Sequence, residues 1–241
     1  MTIHLEAPTK TADHRLAEFA AAAQDMSGLG TLEETLRSVT AHTQEAFGLT
    51  SVGVVLIAQS GKLVTAAATD RDVQRSESLQ VEWSEGPSLE AVRHSRPSVV
   101  EDLRFDGRWR FWAPQAADLG FRSLLSVPLS DQQTFGALTV YSRRSYAFTS
   151  DDLDVASSFG RHVAVALAHV RERSVLRQAL TSRAVVAQAE GILMGRYDIS
   201  ADKAFQVMER FSIQKGLGLV EVAQHMVTHR SLPGRDANLS G

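Results

Sequence analysis

The sequence predicts an α+β fold: an antiparallel sheet flanked by helices, then a long connecting helix, then a small C-terminal bundle of three helices. Three observations carry this prediction. Two stretches, "TSVGVVLIAQSGKLVTAAATD" and "FRSLLSVPLSDQQTFGALTVYSRRSYAF", each hold a pair of apolar runs around a short polar turn, as β-hairpins do. No proline falls between Ser150 and Met194, so one helix is free to span that interval. Beyond it, "ADKAFQVMERFSIQKG" and "LVEVAQHMVTH" repeat apolar residues at i, i+3, i+4 and i+7, the period of an amphipathic helix.

The elements follow in order. Residues 1–12 are polar, contain Pro8 and show no period, which predicts disorder. "RLAEFAAAAQDM" is alanine-rich and helical. "TLEETLRSVTAHTQEAFG" opens with Thr31 and carries Glu34 three residues on, a capping box. Leu32, Leu36, Val39 and Phe47 give that helix one buried face, and Gly48 stops it. After the first hairpin, "VQRSESLQ" forms a short helix, and a second begins at Gly86-Pro87, with proline early in the helix. "SVVEDL" is a short strand and "GRWRFWAPQAADLG" a loop with a short helix. The long helix starts at "TSDDLD", with Ser150 as its cap and acids in its first turn. "GRYDIS" ends it, with Gly195 taking the left-handed turn, and Ser200 caps the next helix. The tail from 231 to 241 is expected to be disordered.

Composition narrows the function. There is no cysteine, which removes disulfides, thiolate nucleophiles and Cys-ligated metal, and fits a reducing, cytoplasmic location. No apolar run is long enough to span a bilayer, and "MTIHLEAPTKTADH" lacks the pattern of a secretory signal. No HExxH, P-loop, GxGxxG or GxSxG occurs, so no enzymatic activity and no cofactor is expected. The net charge of −3 divides unevenly. From Ser174 onward there are 8 Lys+Arg and 6 Asp+Glu, giving +2, and the remainder carries −5. An excess this small means that nucleic-acid binding would rest on local geometry rather than on bulk charge.

Residues 13–173 resemble a GAF domain, the bacterial small-molecule sensor fold. The resemblance lies in "EGPSLEAVRHSRPSVVEDLRFDGRW" and in "LGFRSLLSVPLSDQQTFGALTVYSRRSYAFTSDDLDVASSFGRHVAVAL". It implies helices on one face of the sheet and a ligand cavity on the other. Trp83, Trp112, Phe121 and Tyr141 are the candidate lining of that pocket, with core packing as the alternative for each. Ser88 stands where similar domains often carry cysteine, so neither methionine sulfoxide reduction nor thiol attachment of a tetrapyrrole is open to this chain.

Residues 174–230 resemble an ANTAR domain, the RNA-binding module of bacterial antitermination regulators. "SRAVVAQAEGILMGRYDISADKAFQVMERFS" and "LVEVAQHMV" carry the resemblance. It implies binding to tandem RNA stem-loops in a transcript leader, loops being where RNA exposes its bases. The candidate RNA-binding residues are Arg183, Gln188, Arg196, Lys203, Phe205, Arg210, Ser212 and Lys215. Two departures stand out: Glu190 where lysine is frequent, and Gly216 and Gly218 in a loop where relatives carry Asn and a basic residue. The resemblance implies a signal-responsive antitermination regulator. Its expected partners are RNA, an unidentified small-molecule ligand and a second copy of the chain. The alternative is a sensor whose helical tail docks a protein partner. Dimerisation has two candidate seams on the long helix: Val163, Ala166 and Val170, then Leu176, Leu180 and Ala184, separated by Arg171–Arg173.

Overall fold

Helix α1 (Ala12–Gly28) opens the first of two units, which divide between Arg171 and Glu172. The computed structural model describes residues 11–48 and 50–232. Most of the two termini expected to be disordered therefore lies outside the described residues. Residue 12 already belongs to α1, and Leu232 packs against the C-terminal bundle.

In the first unit, α2 (Leu32–Ala46) starts at the expected capping box. The Glu34 N–H donates to Thr31 Oγ1 at 3.2 Å, and the Thr31 N–H donates to Glu34 Oε2 at 3.0 Å. The strands are β1 (Ser51–Ile57), β2 (Leu63–Ala68), β3 (Ser98–Val100), β4 (Ser123–Ser130) and β5 (Thr134–Ser142). They form one antiparallel sheet in the order β2-β1-β5-β4-β3. The two hairpins, β1–β2 and β4–β5, meet at its centre, where Gly53 of β1 pairs with Thr139 of β5.

Because side chains alternate along a strand, the sheet has two distinct faces. Val52, Val54 and Leu56 of β1, Leu125, Val127 and Leu129 of β4, and Leu138 of β5 form one core with Phe19 and Met26 of α1 and Val39 of α2. Phe159 and Val163 join it from α6 (Ser150–Tyr197). The other face carries α3 (Arg71–Trp83), α4 (Pro87–His94) and α5 (Trp112–Asp118). Both faces are thus covered by helices, which corrects the expectation of helices on one side only. Sequence periodicity identifies which side of a helix is apolar, not which face of the sheet receives it.

Two local details differ from the sequence reading. The cap of α6 is Thr149, one residue before Ser150: Thr149 Oγ1 accepts from the Asp152 N–H at 3.3 Å, and Asp152 Oδ2 accepts from the Thr149 N–H at 2.7 Å. The C-terminal end of α6 lies at Asp198, whose φ is 51°, while Gly195 remains helical. A short polar side chain tolerates the left-handed region, so glycine was not required there.

The second unit packs the end of α6 against α7 (Ala201–Lys215) and α8 (Leu219–His229). Its core is small: Ala189 and Leu193 of α6, Ala204 and Met208 of α7, and Val222, Ala223 and Met226 of α8 are buried together. Ser200 Oγ accepts from the Lys203 N–H, as the N-cap spacing predicts. Gly216 is the left-handed C-cap of α7, at φ 65°, and the Gly218 N–H donates to Glu221 at 3.4 Å where α8 starts. The two glycines therefore end one helix and begin the next. Gly216→Ala is expected to destabilise the bundle by about 1 kcal/mol, since an L side chain resists that φ. Thermal unfolding of the variant should show a lowered midpoint, and an unchanged one would mean that the cap contributes nothing.

Candidate functional site

The second face of the sheet, under α3 and α4, holds a cluster of buried polar side chains. Glu77 and Gln80 come from adjacent turns of α3, Ser88 from the start of α4, Ser126 from β4, and Thr139 and Tyr141 from β5. All lie inward because they occupy the same parity of their strands, or the sheet-facing side of their helices. Glu77 is fully buried and its carboxylate accepts hydrogen bonds from Gln80 Nε2 at 2.9 Å, Ser88 Oγ at 2.9 Å and the Tyr141 hydroxyl at 3.0 Å. Thr139 Oγ1 bridges Ser88 Oγ and Ser126 Oγ, both at 2.8 Å. The Ser88 N–H donates to Gln80 Oε1 at 2.9 Å, tying α4 to α3. Gly53 makes room for the carboxyl group, because a Cβ there would lie 2.6 Å from Glu77 Oε1.

Burial pushes the Glu77 carboxyl up to about 7, against the opposing pull of hydrogen bonds from Ser88, Tyr141 and Thr139. Tyr141 is raised as well, by burial and by the neighbouring Glu77 charge. The sequence reading missed Glu77, Gln80 and Thr139. On a helix as polar as α3, an i, i+3 pair of Glu and Gln reads as a solvent face, and only the packing reveals that it points inward.

Of the four candidate pocket residues, the fold gathers three. Trp112, Phe121 and Tyr141 are buried in one cluster, with the Phe121 and Tyr141 rings 4.6 Å apart. Trp112 Nε1 donates to the Ser76 carbonyl at 3.1 Å. Trp83 stands apart: it is 43% exposed and stacks on Phe111 at 5.2 Å. An open groove of about 590 Å³ lies elsewhere, lined by Glu90, His94 and Arg96–Val99 together with Arg108. Arg108 is held there by Asp106 at 2.6 Å and by the Val99 carbonyl at 2.7 Å.

In the second unit, the candidate RNA-binding residues do not share one surface. A helix turns 100° per residue, so Lys203, Val207, Arg210 and Gln214 fall on one stripe of α7, and all four are exposed. Phe205, 37% exposed, lies about 200° around the axis from Lys203, on the opposite flank. Arg183 and Gln188 are exposed on α6. Arg196 faces elsewhere on that helix and donates from Nη1 to the Arg230 carbonyl at 2.7 Å, closing the end of α8. Ser212 Oγ donates to the Leu217 carbonyl at 2.6 Å within the α7–α8 connection. Lys215 sits at the end of α7, its Nζ 6.0 Å from the centre of the Phe211 ring.

The two seams of α6 have different environments. Val163 and Ala166 belong to the core that α6 shares with this chain's own sheet, and Val170 is buried as well. Leu176 and Leu180 are 57% and 67% exposed, and Ala184 and Ala187 continue their exposed stripe.

Comparison with known proteins agrees with this architecture. Residues 30–168 match the model of the GAF domain, and residues 174–227 match that of the ANTAR domain. Among solved structures, the chain is similar to the GAF domain of a phosphoenolpyruvate-protein phosphotransferase from Coxiella burnetii, at 18% identity and a TM-score of 0.56. That match covers 69% of this chain and 99% of the other. Free methionine-R-sulfoxide reductase from Neisseria meningitidis, in complex with its substrate, is similar at 18% identity and a TM-score of 0.55, covering 71% and 98%. A domain of a sensor histidine kinase protein from Sinorhizobium meliloti matches at 17% identity and a TM-score of 0.52, covering 62% and 99%. At these identities the likeness concerns the fold alone. No curated protein matches the chain. The sheet with its helices, the long α6 and the terminal bundle thus correspond in order to the two matched regions, and the chain belongs to the family of regulators in which a GAF domain is followed by an ANTAR domain.

Proposed function

We propose that this chain is a cytoplasmic, signal-responsive antitermination regulator. Its GAF domain senses a small molecule or a partner and thereby controls binding of the ANTAR domain to tandem RNA stem-loops. The observation that carries the reading is the exposed stripe of Lys203, Val207, Arg210 and Gln214 on α7, within the region that matches the ANTAR model. Two cations spaced two helical turns apart suit contacts to successive phosphates, and the Gln214 amide suits a base edge. Arg183 and Gln188 are exposed on α6 as well, about 140° apart around its axis, and so offer two separate polar contacts.

The proposed assembly is a homodimer, one ANTAR domain per hairpin. The exposed apolar stripe of Leu176, Leu180, Ala184 and Ala187 supports it, since such a stripe on a helix favours a partner helix. The continuity of α6 from Ser150 to Tyr197 offers a route by which a change in the sensor reaches the bundle. A protein-docking tail is the second reading, favoured by Ile213, an apolar side chain left 75% exposed on α7.

The test is binding of the purified chain to RNA with two tandem stem-loops, against a single hairpin and duplex DNA, over a range of salt. Preference for the tandem RNA is expected. Equal affinity for all three nucleic acids, or none at low salt, would overturn the RNA reading and leave the protein partner.

A further inference from the structure

We propose that the imidazoles of His225 and His229 on α8 form a stacking platform for an unpaired base of an RNA loop. The proposal rests on the RNA-binding reading above and adds a contact on α8 that takes a base face rather than a phosphate. Residues four apart on a helix lie one above the other, and these two rings stack with centroids 4.2 Å apart at an interplanar angle of 26°. They make a short column of flat rings in the last two turns of α8.

Backbone carbonyls fix both rings in place. His225 Nδ1 lies 3.0 Å from the Ser231 carbonyl oxygen, and His229 Nδ1 lies 3.2 Å from the His225 carbonyl oxygen. A carbonyl oxygen only accepts, so each Nδ1 carries the hydrogen. His225 is half-buried and His229 is exposed, so the column opens to solvent at His229. The helix ends there: Arg230 is its left-handed C-cap at φ 53°, and the Arg230 carbonyl accepts from Arg196 Nη1 at 2.7 Å. No further turn of α8 therefore continues the column beyond His229.

The chemistry of this end favours a base. A helix C-terminus carries partial negative charge, which disfavours a phosphate. A nucleobase is flat and uncharged, and stacks on an imidazole without needing a particular hydrogen-bond pattern. In a duplex each base is already stacked on its neighbours, whereas a loop leaves base faces open. A comparison within the chain isolates the feature. His162 on α6 is exposed and has Nδ1 2.9 Å from the Ser158 carbonyl, but positions 158 and 166 are Ser and Ala. It is a fixed ring without a column.

The test is binding of the full chain to the tandem stem-loop RNA, for the natural sequence and for His229→Ala, His229→Phe and His162→Ala. His229→Ala should weaken binding about tenfold, the effect of losing one base–aromatic stack. The slope of log affinity against log salt should stay unchanged, because no phosphate contact is lost. His229→Phe keeps a flat ring without the nitrogens and should restore most of the affinity, and His162→Ala should bind as the natural chain does. Circular dichroism of the variants checks that α8 is intact. In NMR spectra of the natural chain, RNA should move the His229 ring signals upfield through the ring current of the stacked base and leave those of His162 in place. If the natural chain binds the RNA while His229→Ala binds it equally well, or the His229 ring signals stay put, the platform is refuted and the RNA reading stands. If the natural chain binds no RNA, both fall together.

Discussion

Glu77→Gln is expected to remove a pH dependence of stability that the natural chain shows between about pH 4.5 and pH 7. The Glu77 carboxyl stands at about 7 in the folded protein, against an ordinary value of 4.5. Between those limits the folded state holds a proton that the unfolded chain has lost. Stability therefore declines as pH rises, fully present below 4.5 and spent by about 7. At about 1.4 kcal/mol per pH unit, the whole decline is on the order of 3 kcal/mol. Glutamine keeps the size and hydrogen bonding of the neutral acid and does not titrate. The hydroxyls of Ser88, Thr139 and Tyr141 can rotate to meet its amide.

Denaturant unfolding at a series of pH values should give a falling curve for the natural chain and a flatter one for the variant. The two should converge at acid pH, with the variant more stable above neutrality. The difference between the curves is the readout, because it cancels the contribution of every group that the two proteins share. Asp102, held well below the carboxylate range by its hydrogen bond from Arg104, titrates on the acid side of it. Parallel curves would mean that Glu77 is already ionised in the folded protein near pH 5.

The double variant Lys203→Ala/Arg210→Ala is expected to weaken tandem stem-loop RNA binding by about a hundredfold. Each loss of a charge-assisted hydrogen bond accounts for roughly tenfold or more. The slope of log affinity against log salt should flatten by about 1.5, since each phosphate contact contributes roughly 0.7–0.9. Both side chains are exposed, so the fold should survive. Phe205→Ala, on the other flank of α7, should leave that slope unchanged. Arg196→Ala should act differently again, lowering bundle stability through its lost bond to the Arg230 carbonyl. An unaltered affinity and slope in the double variant would place the RNA contact elsewhere.

The local signals in this chain are readable without a structure because they are set by neighbours in sequence. The Thr31–Glu34 box and the Ser200 cap depend on side chains within three residues of the backbone groups that they satisfy. The two hairpins and the apolar stripes of α7 and α8 follow from period and turn residues alone, the absence of thiol chemistry follows from composition, and the two family resemblances rest on the motif stretches that carry them. Boundaries were less legible. Thr149 and Ser150 are equally able to cap, and Asp198 competed with Gly195 for the left-handed position.

What only the tertiary structure decided is the destination of each face. Val163, Ala166 and Val170 have the same spacing as any dimer seam, yet all three are buried within this chain, Val163 and Ala166 in the core of its own sheet, while Leu176 and Leu180 remain exposed. Lys203 and Phe205 are neighbours in sequence but point to opposite flanks of a helix that buries Ala204 and Met208 between them. Nothing local to Glu77 marks it as buried; only packing brings the Tyr141 hydroxyl of β5 and Ser88 of α4 to its carboxylate, across separations of 64 and 11 residues. Periodicity and capping are local, so composition and spacing determine the elements. Burial and hydrogen-bond partnership join distant segments, and only their packing determines which polar group is enclosed and which remains free to meet a ligand.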